Sequence, residues 1–153
     1  LIDPSIIDLV IKTCIDSDYD YVSNVLEPTD PDGMDVEVFK FHSLEKAWIE
    51  ATLKSDREHV TSYIWRNSSV KGGTLFKSYN VSSCVDNSKV RITVDTPDDF
   101  EVVKCLIENL GVNKKCDEYV NFLNSHKDIE MINQQYRRNE GYEKSLKEDK
   151  NFK

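Results

Sequence analysis

Three features of the sequence predict a three-layer α/β fold: short alternating or β-branched stretches, intervening segments with apolar residues at helical spacing, and Pro/Gly punctuation between them. Asp3-Pro4-Ser5 opens a helix, with Asp3 as N-cap and Pro4 at the first helical position. Ile6, Ile7, Leu9, Val10 and Cys14 carry its apolar face to about Asp16. Tyr19 to Asn24 reads as a short strand, and Pro28, Pro31 and Gly33 punctuate the long polar turn that follows. Val36 to Phe41 alternates as a second strand. Ser43 is then the expected cap of a helix carrying Leu44, Ala47, Trp48, Ala51 and Leu53. Ser55-Asp56-Arg57-Glu58 has the form of a capping box, and predicts one helix running to about Asn67.

Lys71-Gly72-Gly73 is a turn, Thr74 to Val81 a strand, and residues 82–88 a loop. A strand over 90–94 leads into a helix capped by Thr96 and Asp99 and closed by Gly111. Phe100, Val102, Val103, Leu106, Ile107 and Leu110 are its expected inner face. From Asn113 the pattern turns helical. Residues 1–112 are therefore read as the α/β domain and 113–153 as a helical extension. The tail after Tyr136 is polar, carries Arg137, Arg138, Lys144, Lys147, Lys150 and Lys153, and is expected to pack loosely or on a partner subunit.

Composition narrows the function classes. Apolar residues at 39% and charged residues at 31% describe a soluble globular chain, and no apolar run approaches the ~20 residues that span a bilayer. No membrane association and no export signal are expected. The four cysteines lack paired spacing, which fits free thiols in a reduced, cytoplasmic setting. The net charge of −8 is concentrated in residues 1–60, which hold 14 acidic against 5 basic residues. An acidic half of this kind disfavours nucleic acid as a partner, because phosphate backbones need clustered Lys and Arg.

Three constellations carry candidate chemistry. Asp95 lies past the carboxyl end of a strand and before a helix, the edge where open α/β sheets bind ligands. It reads as a cap or dipole partner, or as a metal ligand left over once Thr96 caps the helix. Pro31-Asp32-Gly33 brings Asp32 near Asp35 and Glu37, as a solvated turn or as part of a site. Arg57, Glu58 and His59 diverge by roughly 100° each along a helix, so the three cannot share one ligand. Arg57 suits an anion, whereas His59 suits a polar contact or packing. No GxSxG setting, Cys–His pair or clustered histidines support a nucleophilic triad or a zinc site. No Gly-rich phosphate loop occurs, and no strand precedes the first helix.

The ordered motifs LIDP, YDYVSN, PDGMDVEVF, LEKAW, REHVT and RITVDTPDDFEVVK resemble the acylneuraminate cytidylyltransferase family, in particular its spore coat polysaccharide biosynthesis branch. Ile132-Asn133, Arg138-Asn139-Glu140-Gly141-Tyr142 and Ser145-Leu146-Lys147-Glu148-Asp149 extend the likeness into the tail. The resemblance implies a three-layer nucleotide-diphospho-sugar transferase-like (Rossmann-like) fold and transfer of CMP from CTP to a sugar acid, nonulosonate-like, with release of pyrophosphate. It also implies a Mg²⁺ cofactor, with Asp95 as catalytic metal ligand, and a homodimer. By the same likeness Asp32, Gly33, Glu37, Arg57, Glu58 and His59 lie around the sugar pocket. The family's GDxPLI motif would begin upstream of Leu1, so the chain is expected to correspond to the C-terminal part and to be inactive alone. A non-catalytic sugar-nucleotide-binding or interaction module of a glycan pathway is the alternative.

Overall fold

A computed structural model describes residues 1–151 of the chain. Helix α1 (Pro4–Ile15) starts where expected: Asp3 Oδ1 accepts from the Ser5 amide at 2.9 Å, and Pro4 occupies a position that needs no amide donor. Strand β1 (Tyr21–Ser23) is the centre of a three-stranded mixed sheet. It pairs antiparallel with β2 (Glu37–Phe39) and parallel with β3 (Ser78–Asn80). Val22 stands opposite Val38 on one side and Tyr79 on the other.

All three β1 residues are buried, and successive strand side chains face opposite ways. Val22 joins Val10, Cys14, Val36 and Val81 in a cluster with α1. Tyr21 joins Leu26, Ala47, Ile64 and Phe76, a cluster built with the helices that follow β2. Those helices are α2 (Phe41–Glu50), α3 (Lys54–Glu58) and α4 (Ser62–Arg66). A third cluster, with Met34, Ile92, Val102, Leu106, Tyr119 and Leu123, joins α5 (Pro97–Leu110) to α6 (Cys116–Ser125). Helix α7 (Lys127–Glu130), a 3₁₀ turn at Met131–Asn133 and α8 (Glu140–Asn151) follow. No described helix is long and apolar enough to cross a membrane.

Several expected elements differ. Residues 90–94 form no regular strand but a single parallel bridge, Asp32 to Arg91. The reason lies in the partner, a turn that offers one rung only. The Asp32 amide donates to Val90 O at 2.9 Å and the Ile92 amide to Asp32 O at 2.7 Å, after which Gly33 turns away at φ +104°.

Helix α2 begins at Phe41, so Ser43 lies inside it and donates to Asp20 O at 3.3 Å instead of capping. Trp48 is exposed on that helix, and the buried positions are Ser43 and Ala47. On α5 the buried residues are Asp99, Val102 and Leu106, while Phe100 and Ile107 face outward. The single helix expected over 55–67 is broken at His59–Thr61, because His59 is extended. Buried Asp56 ties the two pieces together, accepting from Ser62 Oγ at 3.0 Å and Arg66 Nη2 at 2.7 Å. Ser55 does not cap α3. Its amide donates to Asp149 Oδ1 at 3.2 Å, so α8 is docked on the body of the fold rather than loosely attached. Lys153 of the tail lies outside the described residues.

Candidate functional site

Arg91 organises one end of the site. It is 8% exposed, and its guanidinium grips Asp99 with two bonds, Nε to Oδ1 at 2.8 Å and Nη2 to Oδ2 at 2.9 Å. Its remaining donors reach Asp32 Oδ2 at 2.7 Å and Asp95 Oδ2 at 3.1 Å. Asp99 also closes the α5 capping box by accepting from the Thr96 amide at 3.0 Å, and it accepts from Asn133 Nδ2 at 2.9 Å. Burial alone would raise the Asp99 carboxyl, but Arg91, Asn133 and the backbone amides outweigh it and hold the group well below the usual carboxylate range. Asp95 is the outermost member, 66% exposed. It is therefore not free of partners, since Arg91 already holds one of its oxygens.

The acidic turn is fixed from beneath by Asn24, which is fully buried. Its Nδ2 donates to Met34 O at 2.8 Å and Asp30 Oδ2 at 2.9 Å, and its Oδ1 accepts from the Val36 amide at 2.8 Å. Gly33 sits so close to the Arg91 segment that a Cβ would lie 2.7 Å from Ile92 C and Thr93 N. Its role here is to let two backbones touch, which places Asp32 beside Arg91. Glu37 accepts from Tyr21 Oη and, at 3.0 Å, from Thr61 Oγ1. Both of its oxygens are thus engaged.

The segment 136–145 forms the opposite wall. Arg138 bonds Asp35, donates to Asp30 O at 3.3 Å, and lies 3.8 Å from Asp32. Burial pushes the Asp35 carboxyl up to about 6, with Asp32 adding to the rise and Arg138 pulling against it. The group is therefore still ionised at neutral pH and keeps its hold on Arg138. Tyr142 meets the rings of His59 and Trp65 edge-on, at 5.3 and 5.2 Å between centroids.

These elements enclose two adjoining clefts. The larger, about 490 Å³, is lined by Asp32, Arg91, Asp95, Tyr136 and Arg137 among others. The smaller, about 340 Å³, is lined by Leu26, Glu37, Thr61, Trp65, Lys71 and Arg138 among others. Asp35, His59, Asn139 and Tyr142 line both, and so mark the waist between them.

Of the residues singled out in the sequence, Asp95, Asp32, Glu37 and His59 thus face one double cleft. Gly33 shapes it without lining it. Arg57 stacks over Trp48 at 4.7 Å, and Glu58 is engaged by Ser145 of α8 at 2.9 Å. Arg91, Asp99, Asn133, Arg138, Asn139, Tyr142 and Ser145 were not singled out as site residues. The signal available for Arg138, Asn139 and Tyr142 was the compact run Arg-Arg-Asn-Glu-Gly-Tyr, which lacks helical periodicity and mixes charge with an aromatic, whereas Ser145 lies beyond it and carried none. Arg91 carried no signal of its own within an alternating stretch.

No protein-family model matches the chain. It is 32% identical to an uncharacterised protein of Methanocaldococcus jannaschii over 137 residues, covering 86% of this chain and 52% of the relative. Its structure is similar to that of a cytidylyltransferase from Leptospira borgpetersenii serovar Hardjo-bovis, with a TM-score of 0.77 and 27% identity. That likeness covers 90% of this chain and 56% of the neighbour. The chain therefore has a mixed α/β fold similar to that of a cytidylyltransferase, and spans about half the length of the proteins it matches.

Proposed function

We propose that the chain is part of a cytoplasmic, homodimeric cytidylyltransferase of the three-layer α/β kind, which transfers CMP from CTP to a sugar acid in surface polysaccharide synthesis. The observation that carries this reading is the double cleft. One chamber is edged by an exposed carboxylate and guanidinium groups, the adjoining one by an aromatic and several hydrogen-bonding side chains, and the fold around both is similar to a cytidylyltransferase. A triphosphate donor suits the first chamber and a polyhydroxylated acid the second. Nucleotidyl transfer depends mainly on positioning and charge neutralisation, so two chambers meeting at a narrow waist match its geometric demand.

Of the residues present, Asp95 fits Mg²⁺ as a single carboxylate ligand. Asp95 offers an exposed, hard oxygen donor at the cleft edge, and Mg²⁺ takes one or two carboxylates with water and phosphate oxygens as its other ligands. Bound there, the ion would neutralise charge on the triphosphate. Arg91 holds Asp95 from behind, and Arg138 and Asp35 keep the wall 136–142 against the acidic turn.

The test is pyrophosphate release from CTP and Mg²⁺ with a panel of acidic sugars, using the protein in its full reading frame. Release that depends on one acceptor is expected. A folded protein that releases none across a broad panel would leave a binding module as the better reading.

A further inference from the structure

Resting on that reading, we infer that His59 is the general base of the transfer, oriented by Ser145 and Glu58. His59 lies at the waist shared by both chambers, where an acceptor hydroxyl would meet the donor phosphate. The break between α3 and α4 puts it there, since the extended backbone at His59 takes the side chain off the helix.

The hydrogen bonds around it select one tautomer. Ser145 Oγ is 2.9 Å from Glu58 Oε2 and 3.1 Å from Gly141 O, both of which can only accept. The single hydroxyl proton is therefore committed to one of those acceptors. His59 Nε2, 3.0 Å from the same Oγ, must then donate. A neutral imidazole with its proton on Nε2 carries its lone pair on Nδ1, which has no hydrogen-bond partner among the described residues. The chain Glu58, Ser145, His59 thus follows the logic of a carboxylate that fixes a histidine's tautomer, with a serine hydroxyl interposed. Tyr142 braces the ring edge-on, and Asp35, Glu37, Lys71 and Arg138 are the charged groups that line the smaller cleft with it.

In the step itself, the acceptor hydroxyl gives its proton to Nδ1 as its oxygen bonds to the α-phosphorus of CTP. The bond from that phosphorus to the bridging oxygen breaks, and pyrophosphate leaves with the electron pair. The resulting imidazolium is stabilised through Ser145 by the Glu58 carboxylate, and its proton passes to solvent as product departs.

Two measurements test this. Long-range proton–nitrogen NMR on the histidine-labelled chain at pH 8, with His59 assigned by its loss in His59→Gln, should show Nε2 protonated and Nδ1 bare. Ser145→Ala should relax that population toward the tautomer mixture of an unconstrained imidazole. In the full reading frame, His59→Gln can still donate to Ser145 but lacks the basic nitrogen. It should lower kcat by about 10²–10⁴ with little change in KM for CTP. His59→Gly should regain activity on addition of imidazole, which a merely structural role would not allow. Transfer activity together with an Nδ1-protonated His59, or wild-type kcat in His59→Gln, overturns the inference and leaves the proposed function standing. No transfer with any acceptor, despite the expected tautomer, sinks the proposed function and the base role with it.

Discussion

Asp99 and Arg91 form the most tightly determined pair in the site, with side chains 0% and 8% exposed. Asp99→Asn removes the carboxylate that grips buried Arg91 and leaves it Asp32 and the exposed Asp95 as charged partners among the described residues, so the fold should be destabilised by about 3 kcal/mol at neutral pH, read by denaturant unfolding. The pH dependence has a definite sign. The folded carboxyl is held below its unfolded value of about 3.9, so its contribution is complete above that pH and is lost as the pH falls through it toward the folded value. The wild type should therefore lose stability on acidification from about pH 5 to pH 3 more steeply than Asp99→Asn does. Asp95 differs because it is largely exposed. Asp95→Asn should leave the unfolding midpoint nearly unchanged while sharply lowering turnover at saturating Mg²⁺; unchanged turnover would remove Asp95 from the mechanism. Gly33→Ala meets backbone rather than a movable side chain, in a left-handed conformation. It should cost about 1–3 kcal/mol in strain and loosen Asp32 from Arg91, visible as a lowered unfolding midpoint.

Two elements set the site's geometry, and they were unequally legible in the sequence. The start of α5 could be read directly, because Thr96, Pro97 and Asp99 act locally: the capping box forms with Asp99 Nα 3.2 Å from Thr96 Oγ1. Thr96→Ala should cost about 1 kcal/mol of stability in a denaturant melt. Similar local chemistry at Ser55 misled, since Ser55 and Glu58 are drawn into contacts with Asp149 and Ser145, some 90 residues along the chain. Long-range partners of this kind leave no periodic trace in the chain. For the same reason the polar tail read as a segment that packs loosely or on a partner subunit, although Ser145 is buried and Lys54 pairs with Glu148 at 3.0 Å. The wall 136–142 is held to the acidic turn chiefly through Arg138. Arg138→Ala should lower the local opening free energy of residues 139–145 by about 1.5–3 kcal/mol, measured by native-state hydrogen exchange. Unaltered protection would mean that the Tyr142 and Ser145 contacts suffice to hold the wall.

Across the described residues, two apolar clusters flank a three-stranded sheet and a third joins α5 to α6. The larger cleft opens where the acidic turn, the Arg91 segment and the tail converge, and the smaller between the acidic turn, the His59–Trp65 segment and the tail. The alternation of strands and helices was visible in the sequence, and so was the acidic bias of the first 60 residues. What pattern alone could not supply was convergence: Asp32, Arg91 and the Arg138–Tyr142 run come from well-separated parts of the chain, and only tertiary packing assembles them. On the proposed function, this assembly brings a nucleotide α-phosphate to an acidic sugar. The most direct measurement follows the label of α-³²P-CTP in the protein of full reading frame, with Mg²⁺ and a panel of acidic sugars. Label recovered in a CMP–sugar ester, formed in step with pyrophosphate, is the expected result. Label remaining in CTP, or appearing only as free CMP, would contradict transfer and assign the clefts to binding alone.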